Sequence, residues 1–326
     1  MTSSSPIGII GAGLMGTGIA VVFAKAGYDV VLLDTSPDRL AEVDTEVRRV
    51  VAELVHHYVI AKDTSAAIPT RITTASHTSQ LAPCDFVLEA VPERLELKQR
   101  VYAELEQHLR ADAIIASNTS GLMPSALSTS MTHPERFLVA HFWNPPYAVP
   151  LVEVVPSEHT APHVIDTTLA MLRQCGQEAV LIRKEIPGFI GNRLQYAVLR
   201  EALAIVRSGA ASPADVDAVM RSSLGRRYAT TGPLETADLG GLNTFLGIAE
   251  QLMPELAKDE DVLALIREHV DKGEIGPRSG QGFYTWTPEH LEQVRGTRDA
   301  DLLRRLAEDN GQKSSRNANK SSTTDE

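Results

Sequence analysis

The chain has 326 residues, 43% of them apolar and 22% charged, the balance of a folded protein of about two domains, which excludes disorder along its whole length. A formal net charge of −11 makes most of the surface repel polyanions, so nucleic acid and anionic membranes are excluded as general partners. Cys84 and Cys175, the only cysteines, supply neither a disulfide framework nor a thiolate zinc site, and they indicate a reducing compartment.

The N-terminal residues Met1 to Pro6 carry no basic stretch and lead into a short apolar run broken by glycines. Neither a signal peptide nor a membrane span is expected there, and the expected location is the cytoplasm. From Ile7 to about Ile182 the runs IGII, DVVLLD, RITTA, CDFVLEAV, AIIASN, RFLVAHFW, PLVEVV and EAVLI alternate with longer helical stretches. That alternation predicts βαβ units in a mostly parallel sheet. After Glu185-Ile186-Pro187-Gly188 the strand signal stops, and Leu194, Val198, Ala202 and Ile205 recur at helical spacing. Pro187 predicts a helix start, Ser212 before Pro213 predicts a cap, and another helix is expected after Gly241. The chain reads as an α/β Rossmann-type NAD-binding domain over residues 1–184, followed by an all-α C-terminal domain over 185–310. From Gly311 to Glu326 Ala318 is the only aliphatic side chain, so a disordered tail is expected.

The first motif that carries chemistry is Gly11-Ala12-Gly13-Leu14-Met15-Gly16, directly after a strand and before the apolar run from Ile19 to Ala26. In that setting Gly11 permits the tight turn, Gly13 lets the backbone approach a pyrophosphate, and Gly16 lets helix and strand pack closely. The helix N-terminus, where Leu14 and Met15 lie, then faces the phosphates. The second strand ends in Asp34, 18 residues after Gly16, where a carboxylate accepts hydrogen bonds from an adenosine ribose. The expected cofactor is NAD rather than NADP, because Asp34 repels a 2′-phosphate and Thr35-Ser36-Pro37 offer no arginine to hold one.

Further along, Ser117-Asn118-Thr119-Ser120 closes a strand, followed by Ala140-His141-Phe142-Trp143-Asn144-Pro145-Pro146 and Leu151-Val152-Glu153-Val154-Val155. A lone histidine in a buried strand is more often a packed core residue than a catalyst. Glu153, however, is a single charge in the next apolar strand, costly to bury unless something pairs with it, and His141 is the nearest candidate. Two consecutive strands joined through Asn144 to Pro150 set imidazole and carboxylate side by side in this reading. Glu153 then fixes the tautomer and steadies the imidazolium as His141 takes a proton, which is what hydride transfer from an alcohol requires.

GAGLMG, Asp34, EAVPE with Lys98, SNTS, AHFWNPP, PLVEVV and PGFIGNRL, in this order, closely resemble the L-3-hydroxyacyl-CoA dehydrogenase family from about Ile7 to Trp286. The resemblance implies a Rossmann-type NAD domain, a helical C-terminal domain carrying a homodimer contact, a site in the cleft between them, and a place in fatty acid metabolism. It implies His141 as general base with Glu153 as its partner, and Ser120 and Asn192 hydrogen-bonded to the substrate oxygen. Glu93, Lys98, Ser120 and Asn144 are similar to the family's cofactor contacts near the nicotinamide ribose.

Asp34 to Asp85 is short and holds one lysine, Lys62, with four arginines, where the acyl-CoA enzymes carry a long lysine-rich arm. Asn144-Pro145-Pro146-Tyr147 and Gly225-Arg226-Arg227-Tyr228 resemble the lambda-crystallin branch, which includes L-gulonate 3-dehydrogenase. Ser279-Gly280-Gln281-Gly282-Phe283-Tyr284 instead resembles the acyl-CoA enzymes and a pyridoxine-degradation dehydrogenase. Arg226-Arg227 beside Tyr228 is a surface pair by default and a substrate clamp for carboxylate or phosphate in the functional reading. His56-His57 reads as a solvated helix face, and no catalytic metal is expected. The leading expectation is oxidation of a 3-hydroxyacyl group to the 3-keto form. The alternatives are a dehydrogenase of a small free hydroxy acid and a non-catalytic, crystallin-like NAD-binding protein. A two-domain oxidoreductase of the 3-hydroxyisobutyrate or 6-phosphogluconate type, whose chemistry uses a lysine on the interdomain helix, is disfavoured because no lysine occurs between Glu185 and Ala257.

Overall fold

The computed structural model describes residues 5–258 and 261–321, those from 312 on by their backbone alone. It divides into two compact units, the first running to Ile190 and resuming at Gly296, the second spanning Gly191–Arg295.

The first unit holds one eight-stranded sheet: β1 (Ile7–Ile10), β2 (Val30–Leu33), β3 (Ile72–Ala75), β4 (Phe86–Glu89), β5 (Ile114–Ser117), β6 (Phe137–Phe142), β7 (Leu151–Pro156) and β8 (Glu178–Leu181). Their order is β3-β2-β1-β4-β5-β6-β7-β8, so the chain reverses its direction of travel across the sheet at β1 and β4. Every pairing is parallel except β6 with β7. The central strands β1, β4 and β5 are buried along their whole length. Helices cover both faces of such a sheet, which is why these strands read as unbroken apolar runs.

Alternation along each strand feeds two separate clusters. Phe86 and Leu88 join Ile19, Val22 and Phe23 of helix Leu14–Lys25 in one. Val87 joins Tyr102 and Leu105 of helix Leu95–His108 in the other. The open crevice of a doubly wound sheet lies beyond the carboxyl ends of the strands at the reversal point, which here is the Gly11 loop.

Two expected boundaries move. The first unit ends at Ile190 rather than at residue 184, because Ile182 and the wholly buried Phe189 belong to the second cluster. It also regains the chain from Gly296: Leu303, 1% exposed, is part of the first cluster. The backbone of helix Pro288–Ser321 runs on through Gly311 to Ser321, where composition predicts disorder. A helix already begun adds residues without a second nucleation cost. The rest of the expected tail, 322–326, lies outside the described residues, as do the first four residues of the expected leaderless N-terminus.

The second unit is built of helices, including Gly191–Arg207, Pro213–Ser222, Leu224–Tyr228, Pro233–Gly240, Leu242–Leu252 and Leu263–Asp271. Ser212 caps Pro213–Ser222 by accepting from the Asp215 amide, and Asp215 answers by accepting from the Ser212 amide. The first of these helices starts at Gly191 and not at Pro187, since Gly188 (φ +74°) and Phe189 (φ +52°) are left-handed. Its buried position is Leu203, while Leu194 and Val198 of the expected stripe are exposed. Among the described residues no helix is long and apolar enough to cross a membrane.

Candidate active site

At the glycine-rich loop the backbone turns at Gly11 with φ +101°, and a Cβ on Gly16 would stand 1.7 Å from the Gly11 carbonyl oxygen. No side chain fits there. Gly13 is different: the only atom a Cβ would approach is an Arg39 guanidinium nitrogen at 4.0 Å. Packing does not demand a glycine at Gly13, and the open position leaves room for a ligand to approach the backbone. The amides at the start of helix Leu14–Lys25 meet no capping side chain, and its first turn carries no acid. Asp34 Oδ2 accepts from the Ala12 amide at 2.8 Å and Oδ1 from the Ser36 amide at 2.9 Å, which ties the end of β2 to the loop. Leu14 is exposed at the crevice and Met15 packs on the core beneath it. The donors, the open position and the carboxylate fit the diphosphate and ribose of a dinucleotide. The expectation of no nearby arginine needs correcting. Thr35 to Pro37 carry none, but the helix that follows brings Arg39 over Gly13.

Beside the loop, β4 ends in Glu89, a carboxylate with no exposed surface. It accepts from Lys98 Nζ and the Val91 amide, both at 2.7 Å, from Tyr102 Oη at 2.5 Å and from Ser117 Oγ at 2.8 Å. Lys98 is 1% exposed, donates also to the Val91 carbonyl and lies 3.3 Å from Glu93 Oε2. An expected cofactor contact is therefore buried beneath Glu93. Glu93 in turn accepts from the Ser120 amide at 3.0 Å, from the Ser120 hydroxyl at 3.3 Å and from the Thr119 hydroxyl. Burial pushes the Glu93 carboxyl up, but the Thr119 hydroxyl, the Lys98 charge and the Ser120 amide together hold it below the usual carboxylate range. Burial and then the Glu89 charge push the Tyr102 phenol well above its ordinary value.

The antiparallel hairpin β6–β7 pairs His141 directly with Glu153. Opposed residues in such a ladder project to the same face with Cβ atoms about 5 Å apart. His141 Nδ1 lies 2.9 Å from Glu153 Oε2, and the two residues are 6% and 1% exposed. A carboxylate has no proton to give, so Nδ1 is the donor, and in the neutral ring Nε2 is then the acceptor. Glu153 also accepts from Trp143 Nε1 at 3.3 Å and from the Ile190 amide at 2.9 Å. The His141 ring neighbours the rings of Trp143 and Phe189, at centroid distances of 5.6 and 5.7 Å. The left-handed backbone of Phe189 costs about 1–3 kcal/mol, and full burial of its ring, about 1.5–3 kcal/mol, offsets it. Asn118 Oδ1 accepts from the Phe142 amide at 2.8 Å, fastening the loop after β5 to the end of β6.

Gly11, Gly13, Gly16, Asp34, Glu93, Lys98, Ser120, His141, Asn144 and Glu153 all belong to the first unit; Asn144 is exposed between β6 and β7. Asn192, second residue of helix Gly191–Arg207, belongs to the second unit. So do Arg226, Arg227 and Tyr228, exposed on the short helix Leu224–Tyr228. Sequence reasoning passes over Glu89, although it carries the same signal as Glu153, a lone charge in an apolar strand. Asn118, Trp143 and Phe189 carry no such signal, because their contacts exist only once β5, β6, β7 and the 187–190 turn are packed. Cys84 and Cys175 are buried free thiols, each pushed up to about 12 mainly by burial.

Residues 6–186 match the 3-hydroxyacyl-CoA dehydrogenase NAD binding domain, and residues 188–286 match the C-terminal domain of the same family. The chain is 39% identical over 317 residues to the lambda-crystallin homolog of Bos taurus, covering 93% of this chain and 95% of that one. The crystal structure of 5-formyl-3-hydroxy-2-methylpyridine 4-carboxylic acid 5-dehydrogenase superposes with a TM-score of 0.87 at 32% identity, over 93% of this chain and 98% of that one. (S)-3-hydroxybutyryl-CoA dehydrogenase from Ralstonia eutropha superposes with a TM-score of 0.72 at 31% identity, over 87% and 99%. With the open Gly13 position, the Asp34 carboxylate and these matches together, the chain belongs to the 3-hydroxyacyl-CoA dehydrogenase family of NAD-dependent dehydrogenases acting on a CH–OH group.

Proposed function

We propose that the protein oxidises the 3-hydroxy group of a 3-hydroxyacyl substrate to the 3-keto form, with His141 as general base. The observation that carries this reading is the buried His141–Glu153 pair, Nδ1 to Oε2 at 2.9 Å. Bound NAD supplies the hydride acceptor. Nε2 takes the hydroxyl proton as the carbinol hydrogen leaves with its electron pair, and the two electrons left on oxygen close the C=O bond. Glu153 stabilises the imidazolium so formed, and Trp143 and the Ile190 amide keep that carboxylate aimed. Ser120, on the loop tied to Glu93, and Asn192, on motif grounds, are the proposed partners of the substrate oxygen. Steady-state NADH formation from 3-hydroxybutyryl-CoA in wild type and His141→Gln tests the reading. A variant with near-normal turnover would return His141 to the role of a packed core residue.

A second reading, oxidation of a small free hydroxy acid, is favoured by two observations. Between helix Pro37–His56 and β3 stand only the single turns Lys62–Ser65 and Ala67–Thr70, with no arm to hold a CoA. At almost equal identity, the superposition is closer on the pyridine-carboxylic acid enzyme than on the acyl-CoA enzyme. Turnover of 3-hydroxybutyrate and L-gulonate against 3-hydroxybutyryl-CoA, in wild type and in the Arg226→Ala/Arg227→Ala variant, separates the two. Free-acid activity lost in the variant, with little thioester turnover, selects the second reading; efficient thioester turnover indifferent to both arginines removes it.

The proposed assembly is a homodimer. Leu239, Leu242, Leu246, Ile248 and Met253 of the second unit are each more than half exposed, and a patch of that kind marks an interface. The two free, buried cysteines support the proposed cytoplasmic location.

A further inference from the structure

Helix Pro37–His56 is fixed to the first unit by Val43, Val47, Val50 and Leu54, all buried, and it carries three arginines on its outer surface. Two of them are engaged along the helix: Arg48 with Asp44, and Arg49 with Glu46 and Glu53. Arg39 forms no ion pair among the described residues, not even with Asp34 five positions before it. Its backbone amide is held by the capping Ser36 hydroxyl, and its guanidinium reaches to 4.0 Å from where a Gly13 Cβ would stand. A cavity of about 500 Å³ opens at this place, lined by Ala12, Gly13, Leu14, Thr17 and Arg39 among others. The other charged side chains that line it, Glu42 and Glu46, are carboxylates.

A diphosphate brought to the Gly13 backbone brings negative charge beside Asp34 and Glu42, with Glu46 already engaged by Arg49, so that loop amides alone face those carboxylates. We propose that Arg39 is a second anchor for the dinucleotide, its guanidinium closing over Gly13 onto the diphosphate while Asp34 takes the adenosine ribose. The inference rests on the NAD site described above and adds to it a residue outside the glycine motif. It also divides the labour between two charges of opposite sign: Asp34 selects a free 2′-hydroxyl, and Arg39 holds the phosphates wherever the ribose sits. A guanidinium forks across two phosphate oxygens, which a lysine ammonium does not.

Calorimetric titration of NAD, NADP, ADP and adenosine into wild type, Arg39→Ala and Arg39→Lys tests the assignment by binding alone. Arg39→Ala is expected to weaken NAD and ADP by roughly tenfold, the scale of one lost charge-assisted contact, and to leave adenosine unchanged. Arg39→Lys should fall between, and raising the salt concentration should narrow the gap between wild type and Arg39→Ala. Equal NAD binding by wild type and Arg39→Ala overturns the proposal. So does a loss shared by adenosine, which would place Arg39 on the base, or one confined to NADP, which would place it on a 2′-phosphate. If the wild type itself bound neither NAD nor ADP, the cofactor site would fall and Arg39 with it.

Discussion

At the glycine-rich loop the protein holds space open, whereas between β6 and β7 it fills space with charge. Around Gly13 nothing but the tip of Arg39 comes within reach of a missing Cβ, and the recognition groups are backbone amides with one half-buried carboxylate. At His141 and Glu153 the polar atoms are out of water, and every group around them is committed: an imidazole, an indole N–H and a backbone amide on one carboxylate. The first arrangement suits binding, since an exposed cradle exchanges a ligand without rebuilding itself. In the proposed function the second prepares chemistry, because a buried, fully bonded carboxylate fixes which nitrogen of the neutral imidazole is bare.

The contrast breaks most sharply at His141. His141→Gln should lower kcat by about 10²- to 10⁴-fold while the calorimetric Kd for NAD stays at the wild-type value. If the affinity for NAD fell by a similar factor, loop and hairpin would not be separable. Glu89, buried like Glu153 but without a substrate role, shows what burial alone is worth. Replacing it with alanine leaves the buried Lys98 ammonium only Glu93 and the Val91 carbonyl, takes the acceptor from the Tyr102 and Ser117 hydroxyls, and should cost about 3 kcal/mol in urea unfolding, with Glu89→Ala/Lys98→Met recovering part of the loss. A change of only a few tenths would mean that water reaches Lys98 in solution.

Within the loop, two glycines should fail differently. Gly16→Ala drives a methyl into the Gly11 carbonyl and should destabilise the apoprotein by roughly 1–3 kcal/mol. Gly13→Ala should leave the melting temperature of the apoprotein unchanged and weaken NAD. Equal destabilisation by both would remove the case that Gly13 is kept for a ligand. The smallest effect is expected at Asp34, where alanine should raise KM for NAD about tenfold, near 1.4 kcal/mol, and erode the preference over NADP. A preference that survives intact would transfer that selectivity to other groups.

Eight strands and the helical second half are legible in the sequence because the strands are short, mainly apolar runs and many of the turns between elements carry glycine, proline or a capping serine. The GAGLMG turn is legible for the same reason: its glycines answer to backbone geometry within a few residues. His141 and Glu153 could be paired on paper because they stand on consecutive strands, and a buried charge needs a partner. Glu89 shows where that same reasoning stopped short, since its partners Lys98, Tyr102 and Ser117 come from a helix and a neighbouring strand.

What the sequence by itself determined is therefore whatever depends on local backbone geometry and on the period of apolar residues: the strands, the phosphate-binding turn, the Ser212 cap and the family. The tertiary structure alone decided that Lys98 lies under Glu93, that Phe189 and Ile190 close on His141 and Glu153, that the segment from Gly296 rejoins the first unit, and that Arg39 stands over Gly13. The clusters so formed hold residues up to some 280 positions apart, Val22 and Leu303 among them. No spacing rule along the chain encodes them, because they follow from which surfaces are left to cover after the sheet has formed.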